Sequence, residues 1–245
     1  MKHISKMSTK DVSNNNDVIF VIPARGGSKR IKSKNLKEFL GEPILGKTIS
    51  KLKGIQLKAE IVVSTDSFEI KEVAESYGAS VPFIRPIELA GDNVPTISVI
   101  QHAVRTLGST GQTNVICVYP TSVFLTKELI CDSINQIEEF PTSIVFPVKR
   151  FPSPIERRLE LDTQTSKLKV YDPDSANKTT QDLKTFWYDV SQFYVARATT
   201  WLQQKSLYDE CIGIDADTIP SVDINDLKDW ELAQKLYSAL SEEEL

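Results

Sequence analysis

The sequence has few of the side chains on which many metal sites and nucleophilic sites depend. Its 245 residues include two histidines, His3 and His102, and three cysteines, Cys117, Cys131 and Cys211. This scarcity excludes most histidine-rich metal sites and argues against a Ser/His/Asp triad. Any chemistry is therefore expected to depend on carboxylates, lysine, arginine and a hard metal ion.

The sequence also lacks signals for export and membrane insertion. Its apolar runs are short and broken by charges, and the three cysteines form no C-x-x-C pair. Residues 1–16 are polar and contain no apolar stretch of the kind found in secretory signals. We therefore expect a cytoplasmic protein with reduced thiols, a disordered arm at 1–16 and a frayed tail at 241–245.

Positive charge is concentrated in one short segment, called the basic loop below. Its thirteen residues from Arg25 to Lys37, RGGSKRIKSKNLK, carry six basic side chains and no acidic one. Since the whole chain has a net charge of −4, the residues outside the basic loop sum to −10. Such a concentration is typical of a phosphate site, a nucleic-acid patch, a targeting signal or a solvated loop.

The position of the basic loop favours a phosphate site. The loop follows DVIFVIPA at 17–24, which is typical of a buried parallel strand, and open α/β sheets bind ligands at the end of such strands. Gly26 and Gly27 allow the backbone to approach a ligand closely. Nucleic acid is disfavoured because the remaining chain is acidic. Neither the P-loop nor the dinucleotide fingerprint fits, so the residues alone favour a nucleotide or a sugar-phosphate over a plain loop.

The first half of the chain predicts an α/β fold. Strands are expected at 17–24, 59–65, 79–86 and 114–120, and helices at 43–53, 68–77, 95–107 and 126–139. Strands that alternate with helices form βαβ units, so we predict one mostly parallel sheet with helices on both faces. Asp66 and Glu69 have the spacing of a capping box before the second helix.

After residue 140 the pattern becomes typical of antiparallel strands. A sheet strand, then a hairpin around the turn DTQTSK, and then the aromatic segment 186–197 are expected. A closing helix is predicted, capped by Asn225 or Asp226, with these residues facing inward: Leu227, Trp230, Ala233, Leu236, Tyr237 and Leu240. We therefore predict one domain over 17–240 with an inserted β arm at about 150–190.

Four motifs, in this order, resemble a known family. They are PARGGSKRIKSKN at 23–35, VVSTD at 62–66, RPIELAGDN at 85–93 and YPTSVFL at 119–125. The chain is similar in them to the CMP-nonulosonic acid synthetases, cytidylyltransferases that activate sialic, legionaminic and pseudaminic acids. The resemblance implies a Rossmann-like sheet of the nucleotide-sugar transferase type, and a homodimer in which the β arm reaches the partner's site. CTP and a nonulosonic acid are then the substrates and Mg²⁺ is the cofactor.

The resemblance also implies roles for individual residues of the first half. The basic loop would wrap the triphosphate, with Arg25 and Lys34 neutralising charge at the α-phosphate and the leaving pyrophosphate. Nucleotide contacts are implied for Ala24, Arg25, Gly26, Gly27, Lys34, Asn35, Arg85, Val94 and Thr96. For Arg85 the residues alone favour a surface ion pair, for instance with Glu88. Tyr119 and Thr121 fall where the sialate branch has a Gln-Pro-Thr-Ser run beside the sugar.

The second half resembles the pseudaminate branch of the family. The segment NKTTQDLKTFWYDVSQFYVAR has that branch's Gln-Asp-Leu, Tyr-x-Asp and Gln-Phe-Tyr pattern, where the sialate branch has Tyr-x-x-Asn-Gly. Sugar contacts are implied for Tyr119, Thr121, Gln181, Asp182, Asp189 and Gln192, with Tyr194 as a further candidate. For Phe193 and Tyr194 the residues alone favour packing in an alternating strand.

The metal motif of the family differs in this sequence. The family has Asp-x-Asp before a helix, and this chain has Asp223 followed at the second position by Asn225. The resemblance implies Asp223 as a catalytic Mg²⁺ ligand. Asn225 is either a second ligand without full charge or a helix cap, and the neighbouring Asp226 is an alternative ligand.

Two other readings of the function stay open at this point. Within the family, the substrate could be sialic or legionaminic acid. Outside enzymes, the chain could be a catalytically weak nucleotide-binding regulatory protein, and Asn225 is the residue that keeps this alternative open. Neither nucleic acid nor a membrane is expected as a partner.

Overall fold

A computed structural model describes residues 17–240, so the expectations for 1–16 and 241–245 lie outside the described residues. The strands are β1 (Val18–Pro23), β2 (Glu38–Phe39), β3 (Glu42–Pro43), β4 (Ala59–Ser64), β5 (Asn114–Val118), β6 (Ile144–Arg150), β7 (Leu159–Leu161), β8 (Leu168–Val170), β9 (Trp187–Asp189), β10 (Phe193–Arg197) and β11 (Cys211–Asp215). The α-helices are α1 (Ile44–Gly54), α2 (Phe68–Ser76), α3 (Thr96–Leu107), α4 (Lys127–Glu139), α5 (Pro173–Ala176), α6 (Ala198–Gln203) and α7 (Leu227–Ala239).

The central sheet has seven strands and is mostly parallel, as predicted. Its order is β11-β6-β10-β5-β1-β4, and β9 also pairs with β6. Strands β4, β1, β5, β6 and β11 run in one direction, whereas β9 and β10 run against them. Because the chain leaves β1 toward β4 and then crosses back to β5, loops diverge at the carboxyl ends of these strands and leave a crevice there.

Helices cover both faces of this sheet, which confirms the predicted α/β class. One core joins apolar residues of α1, α2 and α4 to one side of the sheet, and a second core joins α3 and α6 to the other side. Successive side chains of β10 pack into different cores, since Phe193 lies in the first core and Tyr194 in the second. The packing role predicted for both aromatic residues is therefore confirmed.

The third strand predicted at 79–86 is wrong. This segment makes only two isolated bridges to the strand beside it, Val62 to Ser80 and Thr65 to Ile84. Pro82 and Pro86 lie within the segment, and proline has no N–H group to donate to a regular ladder. The segment follows the edge of the sheet without forming a continuous strand.

Two details at helix starts differ from the predictions. The cap of α2 is Ser67, which accepts a hydrogen bond from the Ile70 N–H, so the predicted Asp66 capping box is wrong. At α7 the predicted alternative Asp226 is confirmed as the cap, in a capping box with Asp229, and Asn225 is excluded. Leu227 is 55% exposed rather than inward, because it lies at the first position of α7, before the helix reaches the core.

The hairpin predicted around DTQTSK is present as β7 and β8, which pair antiparallel. It belongs to residues 151–186, called the arm below, where Arg157 bonds to Thr180 and to the Lys178 carbonyl. The hairpin does not pair with the central sheet. Large apolar residues of both strands are exposed, namely Leu159, Leu161, Leu168, Val170 and Tyr171. The arm therefore presents an apolar surface to its surroundings.

The cysteines and the apolar segments agree with the sequence analysis. Cys117 is buried in the core, Cys131 is half-buried and all three cysteines are free thiols. Among residues 17–240, no helix combines the length and apolar character needed to cross a membrane.

Candidate active site

The crevice at the carboxyl ends of β1, β4 and β5 collects most of the predicted site residues. The basic loop follows β1, Asp66 lies two residues after β4, and Tyr119 directly follows β5. Strand β10 runs in the opposite direction, so its beginning lies at the same edge, and the Tyr119 N–H bonds to the Gln192 carbonyl at 2.9 Å. The mixed sheet thus brings a basic loop and a polar aromatic cluster to one place.

The basic loop is folded back on itself by buried groups. Asn35 is 5% exposed, and its side-chain amide donates to the Arg25 carbonyl at 3.0 Å across the loop. Ser33 adopts a left-handed conformation with φ of 51°, and its carbonyl accepts from the N–H groups of Leu36 and Lys37. In this structure Asn35 closes the loop, and its predicted contact with the nucleotide stays a prediction.

The two glycines of the loop have different surroundings. A Cβ on Gly26 would lie 3.1 Å from the Ser67 Cβ, so the loop passes closely over the start of α2. A Cβ on Gly27 would meet nothing within 4 Å, so this stretch of backbone faces open space. The Gly26 N–H donates to Asp66 Oδ1 at 2.9 Å. Gly27 is therefore the position where a phosphate can approach the backbone without a steric obstacle.

Arg25 is held by an acidic residue on the opposite side of the crevice. Its guanidinium lies 2.6 Å from Asp92 Oδ1, and Lys29 pairs with the other carboxylate oxygen. Hydrogen bonds from Lys29 and Arg25 lower the pKa of Asp92, so this carboxylate stays charged. Asp92 lies two residues before Val94, in the segment predicted to read the nucleotide. A triphosphate bound as predicted at Arg25 would have to compete with Asp92 for this cation.

Lys34 joins the basic loop to the segment before α7. Its ammonium donates to the buried Ile224 carbonyl at 2.8 Å. Burial lowers the pKa of Lys34, the neighbouring Asp223 opposes this change, and Arg30 and Arg25 reinforce it. The fold thus brings Arg25, Lys34 and Asp223 into one electrostatic cluster, although Asp223 is almost two hundred positions away in the sequence.

Arg85 does not form the surface ion pair that the residues alone favoured. It is 4% exposed and donates from Nε to Ser64 Oγ at 3.2 Å, with further bonds to the Ser64 and Leu89 carbonyls. Burial lowers its pKa to about 10, which leaves the guanidinium charged at neutral pH. Arg85 therefore places positive charge beneath the crevice and ties β4 to the segment that leads to Val94.

The segment predicted to read the nucleotide continues into a pair of tyrosines. Thr96 Oγ1 and Tyr119 Oη lie 2.9 Å apart, within hydrogen-bond distance. The rings of Tyr119 and Tyr194 meet edge to face, with their centroids 5.6 Å apart. Thr121 follows in the turn after β5, where its carbonyl accepts from the Val123 N–H. Thr96 of the nucleotide segment is therefore adjacent to Tyr119 of the sugar motif, and the predicted contacts of both residues with substrate stay predictions.

Gln192 lies between the Tyr119 turn and the segment that leads to Asp223. Its carbonyl accepts from Ser122 Oγ at 2.6 Å, and its side-chain nitrogen lies 3.5 Å from the Pro220 carbonyl. Its side-chain oxygen is buried without a hydrogen-bond partner. A buried acceptor of this kind gains from a donor group, and a hydroxyl or amide of a sugar bound as predicted would supply one.

Asp189 is the last residue of β9, and the bend that leads to β10 follows it. Its Oδ1 accepts from the Ser191 N–H at 2.7 Å, where Ser191 adopts a left-handed conformation with φ of 54°. Its Oδ2 accepts from the hydroxyls of Tyr194 and Tyr208, at 2.6 and 2.9 Å. The local Asx turn thus brings Asp189 and Gln192 to the same side of the crevice.

Gln181 and Asp182 are the predicted sugar residues that this structure leaves in the arm. Both are exposed, and Asp182 accepts from Thr179 Oγ1 at 2.8 Å within the same short 3-10 turn. Their predicted contact with sugar depends on the arm reaching a partner's site, and it stays a prediction.

The oxygens around Asp223 fit a magnesium ion with few protein ligands. Mg²⁺ is usually held by one or two carboxylates together with substrate phosphates and water. Asp223 is exposed beside Lys34, and its Oδ2 accepts from the Asn225 side-chain amide at 2.7 Å. Asp226 is engaged with two backbone N–H groups as the helix cap. Within residues 17–240, no three histidine, cysteine or acidic side chains group as a metal cage.

Two acidic residues of the site were missed as site residues in the sequence. Asp66 stands in the motif VVSTD but was interpreted as a helix cap, and Asp92 stands in RPIELAGDN without an assigned role. The position of Asp66 directly after β4 was a usable signal, since ligand sites of such sheets lie at that edge. For Asp92 no local signal existed, because its partners Arg25 and Lys29 are distant in the sequence.

Several known proteins are similar to this chain in sequence. A family model described as cytidylyltransferase matches residues 19–213. A pseudaminic acid cytidylyltransferase of Campylobacter jejuni subsp. jejuni serotype O:2 is 31% identical over 222 residues, covering 89% of this chain and 94% of that protein. A CMP-N,N'-diacetyllegionaminic acid synthase of Legionella pneumophila subsp. pneumophila is 32% identical over 234 residues, covering 89% of this chain and 95% of that protein.

A solved structure supports the fold at lower sequence identity. CMP:2-keto-3-deoxy-manno-octonic acid synthetase, solved as a complex with CTP, matches with a TM-score of 0.65 at 14% identity. The match covers 91% of this chain and 99% of that chain. At this identity the likeness establishes the architecture of the sheet and helices and leaves the substrate undetermined.

Proposed function

The chain belongs to the cytidylyltransferase family, and on this premise we propose that it transfers the cytidylyl group of CTP to pseudaminic acid. The products are CMP-pseudaminic acid and pyrophosphate. The observation that carries the proposal is that Lys34 bonds to the Ile224 carbonyl, which brings Asp223 to Lys34 and Arg25 in one cluster at the carboxyl edge of the sheet. Such a cluster suits a substrate that brings a triphosphate and a divalent ion.

The reaction that we propose is an in-line displacement at the α-phosphorus of CTP. The oxygen of the sugar's anomeric hydroxyl forms a bond to the α-phosphorus while the bond from that phosphorus to the bridging oxygen breaks. The hydroxyl proton passes to water, and the electron pair of the broken bond leaves with pyrophosphate. In this proposal Arg25 and Lys34 neutralise the charge that develops on the phosphate oxygens, which is the main protein contribution to such transfers.

We propose Asp223 as the residue that holds magnesium together with the phosphates of CTP. When bound, the ion supplies further positive charge beside the reacting phosphate. Asn225 donates its amide to Asp223 and so orients the carboxylate. Asn225 could act as a second ligand only after its side-chain amide rotates, since its N–H₂ group faces Asp223 in this structure.

The choice of pseudaminic acid is supported by the side of the crevice that carries Tyr119, Asp189 and Gln192, the residues predicted to contact the sugar. This side is called the sugar side below. Tyr119 stands at the position of the sialate branch's glutamine, and the Tyr-x-Asp and Gln-Phe-Tyr patterns place Asp189 and Gln192 beside it. Percentage identity alone does not decide the substrate, because the pseudaminic and legionaminic relatives are 31% and 32% identical to the chain. The proposal therefore depends on these positions.

The test is pyrophosphate release from CTP and Mg²⁺ with pseudaminic, legionaminic and sialic acids in separate reactions. We expect turnover with pseudaminic acid and at least tenfold lower kcat/KM with the other two, which is about 1.4 kcal/mol of transition-state discrimination. A higher kcat/KM with sialic or legionaminic acid contradicts the substrate assignment. Retained CTP binding without turnover of any sugar indicates the regulatory protein instead.

We further propose that the protein is a homodimer joined through the arm and that it works in the cytoplasm, where CTP is available. A two-stranded hairpin is marginal by itself, and this one exposes apolar residues on both strands. Light scattering is expected to give twice the 27.5 kDa of one chain. Replacing the paired residues Leu161 and Leu168 by aspartate is expected to yield monomers, and an unchanged mass would exclude the arm as the interface. Cell fractionation tests the location.

A further inference from the structure

The sugar side of the crevice contains a cluster of two tyrosines around one carboxylate, formed by Asp189, Tyr194 and Tyr208. Tyr194 and Tyr208 both donate to Asp189 Oδ2, at 2.6 and 2.9 Å. Tyr194 is buried in the sheet, whereas Tyr208 comes from the loop between α6 and β11 and is 59% exposed. The tyrosine cluster thus joins a rigid strand to a surface loop through a single carboxylate.

The hydrogen bonds leave a defined part of Asp189 available. An ionised carboxylate has about four acceptor positions, two on each oxygen. Both positions on Oδ2 are taken by the two hydroxyls, and one position on Oδ1 is taken by the Ser191 N–H. One acceptor position on Oδ1 therefore remains, and it can receive one O–H or N–H group.

The loop that carries Tyr208 is itself well supported. Asp209 accepts from the N–H groups of Lys205 and Ser206, and Ser206 Oγ accepts from the Tyr208 N–H. The ring of Tyr208 packs edge to face against Phe146, with centroids 5.8 Å apart. Burial, together with the nearby Asp189, raises the pKa of Tyr208 to about 12, so its hydroxyl remains a donor at neutral pH. The hydroxyl is therefore held in one position.

We infer that Tyr208 is a positioning residue that determines sugar specificity by fixing the carboxylate of Asp189, and this inference rests on the proposed function. With Oδ2 held by two hydroxyls, Oδ1 presents one acceptor to a hydroxyl or acylamino N–H group of the sugar. The same negative charge repels the sugar's own carboxylate. Asp189 and Tyr208 thus favour the orientation in which the sugar carboxylate points toward the basic loop.

The experiment measures KM and kcat for pseudaminic acid and for CTP in the wild type and in Tyr208→Phe. Phenylalanine keeps the contact with Phe146 and removes only the hydroxyl. We expect KM for the sugar to rise about tenfold, since hydrogen bonds to charged groups are the stronger ones, while KM for CTP and Tm stay unchanged. The matched control Tyr237→Phe removes a tyrosine hydroxyl on α7 and is expected to change neither KM.

A double-mutant cycle separates positioning from a general structural effect. In the Asp189→Asn background, Tyr208→Phe is expected to cause no further rise in KM for the sugar, because its effect acts through the carboxylate. Tyr194→Phe serves as a second variant, with the same expected direction. An equal effect of Tyr208→Phe in both backgrounds, or no change in the wild-type background, overturns the inference while the proposed function stands. Absence of turnover in the wild type overturns both.

Discussion

Replacing Arg25 by alanine is expected to lower kcat/KM for CTP by about a thousandfold. Removal of one positioned charge from an acyl- or phosphoryl-transfer site costs about 10² to 10⁵ in rate. Arg25 is the better test than Lys34, because Lys34 also holds the Ile224 carbonyl and its loss would loosen the basic loop. Steady-state pyrophosphate release at varied CTP measures the effect.

The fold is expected to survive this substitution. Arg25 pairs with Asp92 at the surface, and exposed ion pairs contribute about 0 to 1 kcal/mol to stability. Arg105→Ala is the matched control, since it removes an exposed arginine from the end of α3, at the opposite edge of the sheet. We expect its kcat/KM to stay within about twofold of the wild type. Comparable losses in both variants would contradict the role of Arg25.

Asp92→Asn provides the opposite change at the same pair. If Asp92 competes with the triphosphate for Arg25 and Lys29, removing its charge is expected to tighten CTP binding by a few-fold in calorimetry. Weaker CTP binding in this variant would instead make Asp92 a part of the nucleotide site. Arg25→Ala removes a positive charge from the basic loop, and Asp92→Asn removes the negative charge that pairs with it. Comparing the two variants separates the effects of these two charges on CTP.

Replacing Asp223 by alanine is expected to abolish magnesium-dependent turnover, with a loss of at least a thousandfold. Asp223 is an acidic neighbour of Lys34, and its removal takes away the carboxylate that we propose as the magnesium ligand. Turnover measured against Mg²⁺ concentration checks the result. Persistent activity with the wild-type Mg²⁺ dependence would exclude Asp223 as the ligand.

The neighbouring Asp226 offers a matched control with the opposite phenotype. Asp226 caps α7, and loss of such a cap costs about 1 kcal/mol, or about 2 to 4 °C in Tm for a chain of this size. Asp226→Ala is therefore expected to lower Tm and keep activity, whereas Asp223→Ala lowers activity and keeps Tm.

Asn225→Asp is expected to lower the half-saturating Mg²⁺ concentration about tenfold, because a second carboxylate would face Asp223. An unchanged titration would limit Asn225 to orienting Asp223.

Local patterns in the sequence were enough for the α/β class and for the chemistry of the basic loop. Helices and strands follow from apolar periodicity, and the six cations of the basic loop are contiguous, so no folding is needed to recognise them. The arm hairpin was also readable, since a polar turn separates two short strands. The family motifs further predicted CTP as the nucleotide. They could be recognised without the structure because each motif is a short continuous segment.

Tertiary structure decided the contacts that join distant segments and the details that compete with local propensity. Asp92 pairs with Arg25, and Tyr208 bonds to Asp189. The two residues of each pair lie in different segments, and no periodic pattern in the sequence links those segments. Asp66 had the spacing of a cap, but it bonds to the Gly26 N–H because the strand order places the two loops side by side. Arg85 looked like a surface residue, and the packing of its segment over β4 buried it. Sequence alone thus specifies which groups are present, and the sheet order specifies which of them meet.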